Sequence, residues 1–404
     1  MPKVLRIINR LNLGGPTYNA AYLSRYLAPE FETLLVAGIK EADEESSEFI
    51  VEKMGLKPVF IPEMKREIDF SNDREAYRKI KKLISEFKPD IVHTHAAKAG
   101  TLGRLAASHM KVPVILHTFH GHVFHSYFNP VKTAIFKNVE RYLSRRSTRI
   151  IAISDIQKQE LCEIHKVCTA RQTVVIPLGF DLNRFRENQE QLRSQFRNEY
   201  AIGNDTLAVV IIGRIVHVKN HEFFIRCFAE VKNRCDKKMV GFIVGDGDDR
   251  KKMETLAASL NLIISTPESK VNGAELVFTS WIHDIERPLA GCDLVAMTSL
   301  NEGTPVSLIE AQAAGKTIVT TEVGGIGNVV IPGETALMSP SGNREKFISN
   351  MLMVLNDNQL RSQMALHGWP FVKSKFHYSR LVEDMRKLYH QLLTEQRFGS
   401  SGRN

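Results

Sequence analysis

Short runs of β-branched and aliphatic residues recur along this 404-residue chain, each separated from the next by a stretch long enough for a helix. Val4–Ile8, Thr33–Ala37, Val59–Pro62, Asp90–Thr94, Val112–His117, Ile150–Ser154 and Val174–Pro177 read as strands in the first half. The stretches between them carry helical periodicity: in Arg74–Lys88, Tyr77, Ile80, Ile84 and Phe87 fall on one face. Strands spaced in this way cannot be hairpin partners, so they predict βαβ units and a parallel sheet. The second half repeats the plan with Ala208–Ile212, Gly241–Val244, Glu275–Phe278, Leu294–Met297 and Thr317–Thr320. A chain of this length is too long for one ordinary core. The polar stretch between Ile176 and Ala208 breaks the rhythm. It divides the chain into a first domain over 1–185 and a second over 200–370, with a helical tail over 371–393 after Pro370. Ile264–Ala274 reads as a polar loop in the second domain.

The hydrophobic fraction, 43%, is that of a globular protein. Residues 1–25 lack the pattern of a secretory signal, and no run approaches the roughly 18 apolar residues of a membrane span. The five cysteines are odd in number and scattered, which favours reduced thiols and a cytoplasmic setting. The net charge of +9 is uneven: residues 1–180 hold 27 Lys/Arg against 19 Asp/Glu, and Ala97–Ile151 holds nine basic residues against one acid, Glu140. Such a field attracts anions, whether nucleic acid, an anionic membrane face or a phosphorylated substrate; a solvated basic helix face accounts for it equally well. No nucleic-acid-binding module accompanies the charge.

The first strand leads into Gly14-Gly15, a strand-to-helix turn at which backbone amides can approach an anion. It is not GxGxxG, and no acid follows about 20 residues on, which weighs against a dehydrogenase. Seven of the fourteen histidines lie between His93 and His125. His93 and His95 share a strand face, so a metal pair is conceivable, but no Cys or near carboxylate completes a ligand set. Among His117, His120, His122 and His125, His120 is best placed to meet a substrate hydroxyl or a developing charge.

In the second half, Arg214 follows a strand and Lys219 comes five residues later. A bidentate guanidinium and a point-charge ammonium suit a diphosphate, although two exposed basic residues on a loop give the same pattern. Gly245-Asp246-Gly247 ends another strand and can admit a nucleobase or ribose edge, or serve as an ordinary connection. The most informative segment runs from Asp293 to Thr321. Here a strand turns at Glu302-Gly303-Thr304-Pro305 into a helix starting near Val306 and carrying Glu310. Gly303 and the free amides after it can face an anion at the positive helix end, although a capping Glu302 and a solvent-facing Glu310 give the same pattern. Two carboxylates near it make sense as acceptors of sugar hydroxyls, and their separation argues against a paired acid and base on one bond.

Taken in order, GG after strand one, PDIVHTH, VPVILHTFHGH, IIAIS, VVIPLGFD, IGRIVHVKNH, FIVGDG and NEGTPVSLIEAQAAGKTIVTTEVGG resemble family 4 of the retaining glycosyltransferases over nearly the whole chain. The resemblance implies the GT-B fold: two Rossmann-like domains facing across a cleft, with a C-terminal helix crossing back to the first. It implies a UDP- or GDP-linked sugar as donor, a glycan or lipid-linked acceptor, retention of configuration and no metal or other cofactor. Arg214 and Lys219 would hold the diphosphate, Glu310 the ribose hydroxyls, and Glu302 with the amides from Gly303, Thr304, Pro305 and Val306 the donor sugar. His120 would sit beside the reacting sugar, and Gly14 and Gly15 would line the cleft. One departure stands out: after Gly324-Gly325 the family usually carries an acid, and this chain has Ile326-Gly327-Asn328. Cell-envelope polysaccharide assembly is the context the family suggests; the basic first half, with VKTAIFKNVERYLSRR as an amphipathic face, suggests docking at an anionic inner membrane face, although a core-packed helix with solvated lysines gives the same pattern. A nucleotide-sugar 2-epimerase and a non-catalytic sugar-nucleotide binder are the alternatives on the same fold.

Overall fold

A computed structural model describes residues 1–11, 15–39, 48–65, 67, 69–121 and 130–401. Two units divide the chain: residues 1–180 with 376–404, and residues 181–375.

The first unit is built on seven parallel strands, β1 (Lys3–Arg10), β2 (Glu32–Gly38), β3 (Val59–Phe60), β4 (Ile91–His95), β5 (Val114–Phe119), β6 (Arg149–Ala152) and β7 (Thr173–Val175), in the order β3-β2-β1-β4-β5-β6-β7. The chain runs outward from β1 to β3, then returns to β4 on the other side of β1. That reversal opens a crevice at the carboxyl ends of β1 and β4, the usual ligand site of open α/β sheets. Side chains alternate across the sheet. Val4, Ile91, Val114 and Leu116 pack on one face with Leu23, Leu27 and the C-terminal helix. Leu5, Val92 and Ile115 pack on the other with Ile80, Ile84 and Leu102. The helix expected at Arg74 starts earlier, at Phe70, because Asp69 caps it by accepting from the amides of Ser71 and Asn72 at 2.9 and 3.0 Å.

The second unit carries β8 (Leu207–Ile212), β9 (Met239–Val244), β10 (Ile264–Ser265), β11 (Leu276–Ser280), β12 (Leu294–Met297), β13 (Thr317–Glu322) and β14 (Ala336–Pro340), all parallel, in the order β10-β11-β9-β8-β12-β13-β14. Its reversal falls between β8 and β12. The sequence did not signal β10, two residues at the head of an expected polar loop, or β14, whose Pro340 is tolerated on an edge strand. The polar stretch after Ile176 is not an open linker in its second part. Residues Gln189–Glu199 form a helix packed on the second unit: Arg193 and Arg197 pair with Asp293 at 2.9 and 3.3 Å, and Arg197 also donates to the carbonyl of Thr206 at 2.7 Å.

The tail departs from the single helix expected after Pro370. Pro370 lies inside the helix Asn358–Phe376, and a second helix spans Tyr378–Ser401. The break comes at His377, where Phe180 donates to the carbonyl of Phe376 at 2.8 Å and accepts from the amide of Tyr378 at 3.0 Å. These bonds take the backbone groups a continuous helix would need. The crossing is tight: a Cβ on Gly179 would lie 2.7 Å from Leu381 Cβ, which gives a reason for glycine in the run PLGFD. Leu381, Met385, Leu388 and Leu392 then bury a stripe against the first sheet.

Met385→Ala should therefore lower the stability of the first unit by about 2–5 kcal/mol. Both tryptophans, Trp281 and Trp369, belong to the second unit. Urea unfolding followed by circular dichroism should shift to lower denaturant while the tryptophan signal moves less; unchanged transitions would show that the helix contributes little.

Candidate functional site

In the first unit the carboxyl ends of β4 and β5 carry a cluster of imidazoles around a guanidinium. Arg6, in the middle of β1, is fully buried, as are His93 and His95. Arg6 Nη1 lies 3.0 Å from His93 Nδ1 and 3.3 Å from His95 Nε2, its Nη2 donates to Tyr389 Oη at 3.2 Å, and its Nε donates to Ser24 Oγ at 3.2 Å. None of these partners is a carboxylate. His93 also meets Tyr389 Oη at 2.7 Å through Nδ1 and Thr118 Oγ1 at 2.7 Å through Nε2. His95 Nδ1 lies 2.9 Å from His120 Nε2. Burial holds His93, His95 and His117 well below the usual imidazole value, helped at His93 by the charge of Arg6, and burial lowers His120 too. These rings are neutral at physiological pH. The metal pair conceivable for His93 and His95 is disfavoured here, since their nitrogens are engaged and a guanidinium faces them. Gly15 opens the helix Gly15–Tyr26, the element that follows β1. Gly14, His122 and His125 lie outside the described residues.

In the second unit the loops after β8 and β12 are bound together. Thr298 Oγ1 donates to the carbonyls of Lys219 and Asn220 at 3.2 and 3.0 Å, and the Leu300 amide donates to Val218 at 2.8 Å. This brings Lys219 to Glu302: Nζ and Oε1 are 2.5 Å apart, and Ser299 Oγ donates to the same carboxylate oxygen at 2.6 Å. Arg214, one turn earlier, is 63% exposed, and its only ion pair among the described residues is a long one, 3.9 Å from Asp248. Glu302 leads into Gly303, exposed, then Thr304 and the buried Pro305, which sits at the cap position rather than in the first turn of the helix Val306–Ala313. The Gly325 amide donates to the Glu302 carbonyl at 2.8 Å, so the Gly324-Gly325 pair holds this turn without an acid after it.

The Gly245-Asp246-Gly247 turn supports the same loops. Gly245 has φ +142°, and a Cβ there would lie 2.2 Å from the Gly213 carbonyl oxygen. The Asp246 carboxylate is taken by Ser280 Oγ at 2.7 Å, the Gly247 amide at 2.8 Å and Arg250 at 3.1 Å. It therefore braces the fold and is not an open ligand group.

Glu310 is separated from this cluster along its helix. Its Oε1 lies 3.4 Å from Arg184, whose other guanidinium nitrogen lies 3.4 Å from Glu286. Burial pushes the Glu310 carboxyl up to about 7; Arg184 pulls it down and Glu286 raises it. The sequence had not singled out Arg184, Glu286 or Ser299. Arg184 sits in a run that reads as linker, and Glu286 lies where no motif marks it. Arg6 did leave a signal, a charge in the middle of the apolar run VLRII.

Chemically the second unit offers two cations and a helix N-terminus for an anion, with carboxylates near them to accept hydroxyls. The first unit offers neutral imidazoles. A model of "Glycosyl transferases group 1" matches residues 193–368, and a model of "Glycosyltransferase Family 4" matches residues 13–184. An Escherichia coli protein named UDP-Gal:alpha-D-GlcNAc-diphosphoundecaprenol alpha-1,3-galactosyltransferase is 25% identical over 84% of this chain and 85% of its own length. The capsular polysaccharide biosynthesis glycosyltransferase CapM of Staphylococcus aureus is 25% identical over 82% of this chain and 84% of its own. Among solved structures, HepE of Anabaena in complex with UDP superposes with a TM-score of 0.78 at 18% identity, covering 96% of this chain and all of that one. WaaG, a glycosyltransferase of lipopolysaccharide biosynthesis, superposes with a TM-score of 0.67 at 17% identity, over 96% and 99% of the two chains.

The raised Glu310 pKa fixes a sign. Between its ordinary value of 4.5 and about 7 the folded protein holds a proton that the unfolded chain has lost. Stability therefore falls as pH rises through that window. Glu310→Gln should be more stable than the parent at pH 8, by on the order of 1–3 kcal/mol, with the gap closing towards pH 5. Thermal melts across that range check this; a less stable variant at pH 8 would mean that the pairing with Arg184 outweighs burial.

Proposed function

The chain belongs to the family 4 glycosyltransferases and has their GT-B fold, and on that footing we propose that it moves a hexosyl unit from a UDP- or GDP-linked sugar to a glycan or lipid-linked acceptor, with retention of configuration and without a metal ion. The carrying observation is the Lys219–Glu302 pair at the turn into the helix Val306–Ala313, with the exposed Arg214 on the adjoining loop.

In this reading Arg214 takes two diphosphate oxygens through its fork and Lys219 neutralises a third. The amides at the helix start face the same anion. A diphosphate arriving at Lys219 competes with Glu302 for the ammonium. Released, Glu302 accepts hydrogen bonds from hydroxyls of the donor sugar, and the amides of Gly303 to Val306 bracket it. Glu310 accepts from the ribose hydroxyls, as a carboxyl raised to about 7 by burial can do once ionised at higher pH. These cations do the work a divalent ion does elsewhere, stabilising the leaving diphosphate. His120 stands beside the reacting sugar, and Gly14 and Gly15 serve the acceptor side. No side chain is assigned as nucleophile; the leaving phosphate takes the acceptor proton on the face of attack.

The relatives' names favour a uridine nucleotide and envelope polysaccharide assembly. A cytoplasmic enzyme working at the inner membrane face fits the first unit's surface. No described helix is long and apolar enough to cross a membrane. The helix Pro130–Ser144 leaves Ile135, Val139 and Tyr142 exposed, and Arg146 lies over the Tyr142 ring. Glu140, the one acid of that basic segment, is consumed by the buried Arg104 at 2.7 Å. An apolar stripe flanked by unneutralised arginines suits an anionic leaflet.

Arg214→Ala should lower kcat by about two orders of magnitude or more with the matched donor. Melting-temperature shifts with UDP, GDP and their sugars identify that donor. A variant with parental kcat would remove Arg214 from the diphosphate clamp. Ile135→Asp should weaken co-sedimentation with vesicles containing phosphatidylglycerol and leave turnover on a soluble acceptor intact; equal sedimentation of both proteins would dismiss the docking face.

A further inference from the structure

We propose that Arg6 is a positioning residue: through His95 it fixes the ring tautomer of His120, so that His120 presents an Nδ1–H donor to an oxygen of the sugar substrate and does not act as a base. The inference rests on the reading above only for the identity of the ligand. The tautomer follows from the hydrogen bonds alone.

A guanidinium can only donate. Arg6 Nη1 lies 3.3 Å from His95 Nε2, so that nitrogen carries the lone pair and the proton of a neutral His95 sits on Nδ1. His95 Nδ1–H therefore donates across 2.9 Å to His120 Nε2. The proton of His120 is thereby placed on Nδ1. That atom is buried and has no hydrogen-bond partner among the described residues. A buried N–H without an acceptor is unfavourable unless something supplies one. A ligand oxygen would satisfy it.

The rest of the cluster permits the same assignment. Arg6 Nη1 also donates to His93 Nδ1 at 3.0 Å, and Tyr389, whose oxygen accepts from Nη2, donates its hydroxyl proton to that same nitrogen. His93 Nε2–H then donates to Thr118 Oγ1. One set of neutral tautomers accommodates these contacts, with the single lone pair of His93 Nδ1 shared between Arg6 and the Tyr389 hydroxyl. An imidazolium in the set would put a second positive charge beside a buried guanidinium that has no carboxylate partner among the described residues. Burial also holds these rings well below their usual pKa. Tyr389 comes from the C-terminal helix, so the helix that closes the first sheet also completes the setting of the guanidinium.

A ring that offers only a fixed N–H rewards an oxygen that gains electron density as the reaction proceeds and gives nothing to a group that must lose a proton. The amide nitrogen of asparagine lies near the position of Nδ1, and that of glutamine near Nε2. His120→Asn should therefore retain activity to within roughly tenfold, and His120→Gln should lose about a hundredfold. A purely structural role would not rank the two in this way.

The decisive measurement uses the full chain labelled with ¹⁵N-histidine. Long-range ¹H–¹⁵N spectra at pH 7.5 should show His120, identified by the signal missing from His120→Asn, with a protonated Nδ1 and a bare Nε2. Arg6→Met should scramble that tautomer while circular dichroism stays parental. UDP-glucose or GDP-mannose, but not UDP or GDP alone, should shift the Nδ1–H resonance. A protonated Nε2 in the wild-type spectrum would overturn the relay outright, with no need for the variant to fold. An unaltered tautomer in folded Arg6→Met would remove Arg6 from it. A correct tautomer with no response to either sugar nucleotide would refute the substrate contact and leave the relay standing. Since the tautomer is read without turnover, failure of the glycosyl-transfer reading would be seen separately, in the activity assays.

Discussion

Every strand pair found in either sheet is parallel, and that single fact organises the molecule. Parallel neighbours cannot be joined by a tight turn, so each connection crosses a face of the sheet, usually as a helix. The crossovers cover both faces, which makes the strands apolar throughout and drives polar function to their ends. Only where the direction of winding reverses do two adjacent loops part and leave room. β1 and β4 provide this in the first unit, β8 and β12 in the second. Arg214, Lys219, Glu302 and His95 all lie just beyond or at those carboxyl ends, and His120 follows the strand next to them. The candidate site residues sit where topology permits a ligand, whatever the loop sequences.

The apolar rule makes Arg6 conspicuous. A guanidinium in the centre of a strand buried on both faces, answered by no described carboxylate, is an expensive choice. Its hydrogen bonds to Ser24, His93, His95 and Tyr389 recover part of that loss. Their geometry is also specific, since each partner must turn a lone pair towards it. A neutral residue of similar shape would fill the space with less penalty, so packing alone does not account for Arg6. What a guanidinium supplies that methionine does not is orientation of the protons on the rings around it.

The strand–helix rhythm and its doubling were legible because period and spacing are local. So was the turn from Glu302 into the helix at Val306, whose residues are contiguous. What could not be read depends on partners far apart in sequence. The helix break is set at His377 by Phe180 and not at Pro370, which sits within a helix, because backbone pairing outranks a residue preference. β14 was hidden by Pro340, which an edge strand accepts. The Glu310–Arg184–Glu286 group joins three segments, and only that of Glu310 is marked by a motif. The Gly245-Asp246-Gly247 turn read as open to a base or ribose edge or as an ordinary connection, and its Asp246 is a brace, since Ser280 and Arg250 reach it. Gly14 and the histidines at 122 and 125 lie outside the described residues and add nothing to this comparison.

The two halves of the site in the second unit meet their charges differently, and the difference is functional in kind. Lys219 and Glu302 neutralise one another at 2.5 Å, so neither is left as a bare charge, yet each can give up the other when a stronger partner arrives. Glu310 has no such reciprocal partner: it shares one arginine with Glu286, and burial is felt as a raised pKa. A ligand offering hydroxyls as donors relieves Glu310, and a ligand offering anionic oxygens competes for Lys219. The unit tolerates the strain because its large apolar core, from Val209 and Phe228 to Phe347 and Met351, is built independently of these residues. Stability is held in the sheet and its helices, and the loops beyond the strand ends are free to keep groups whose needs only a substrate meets.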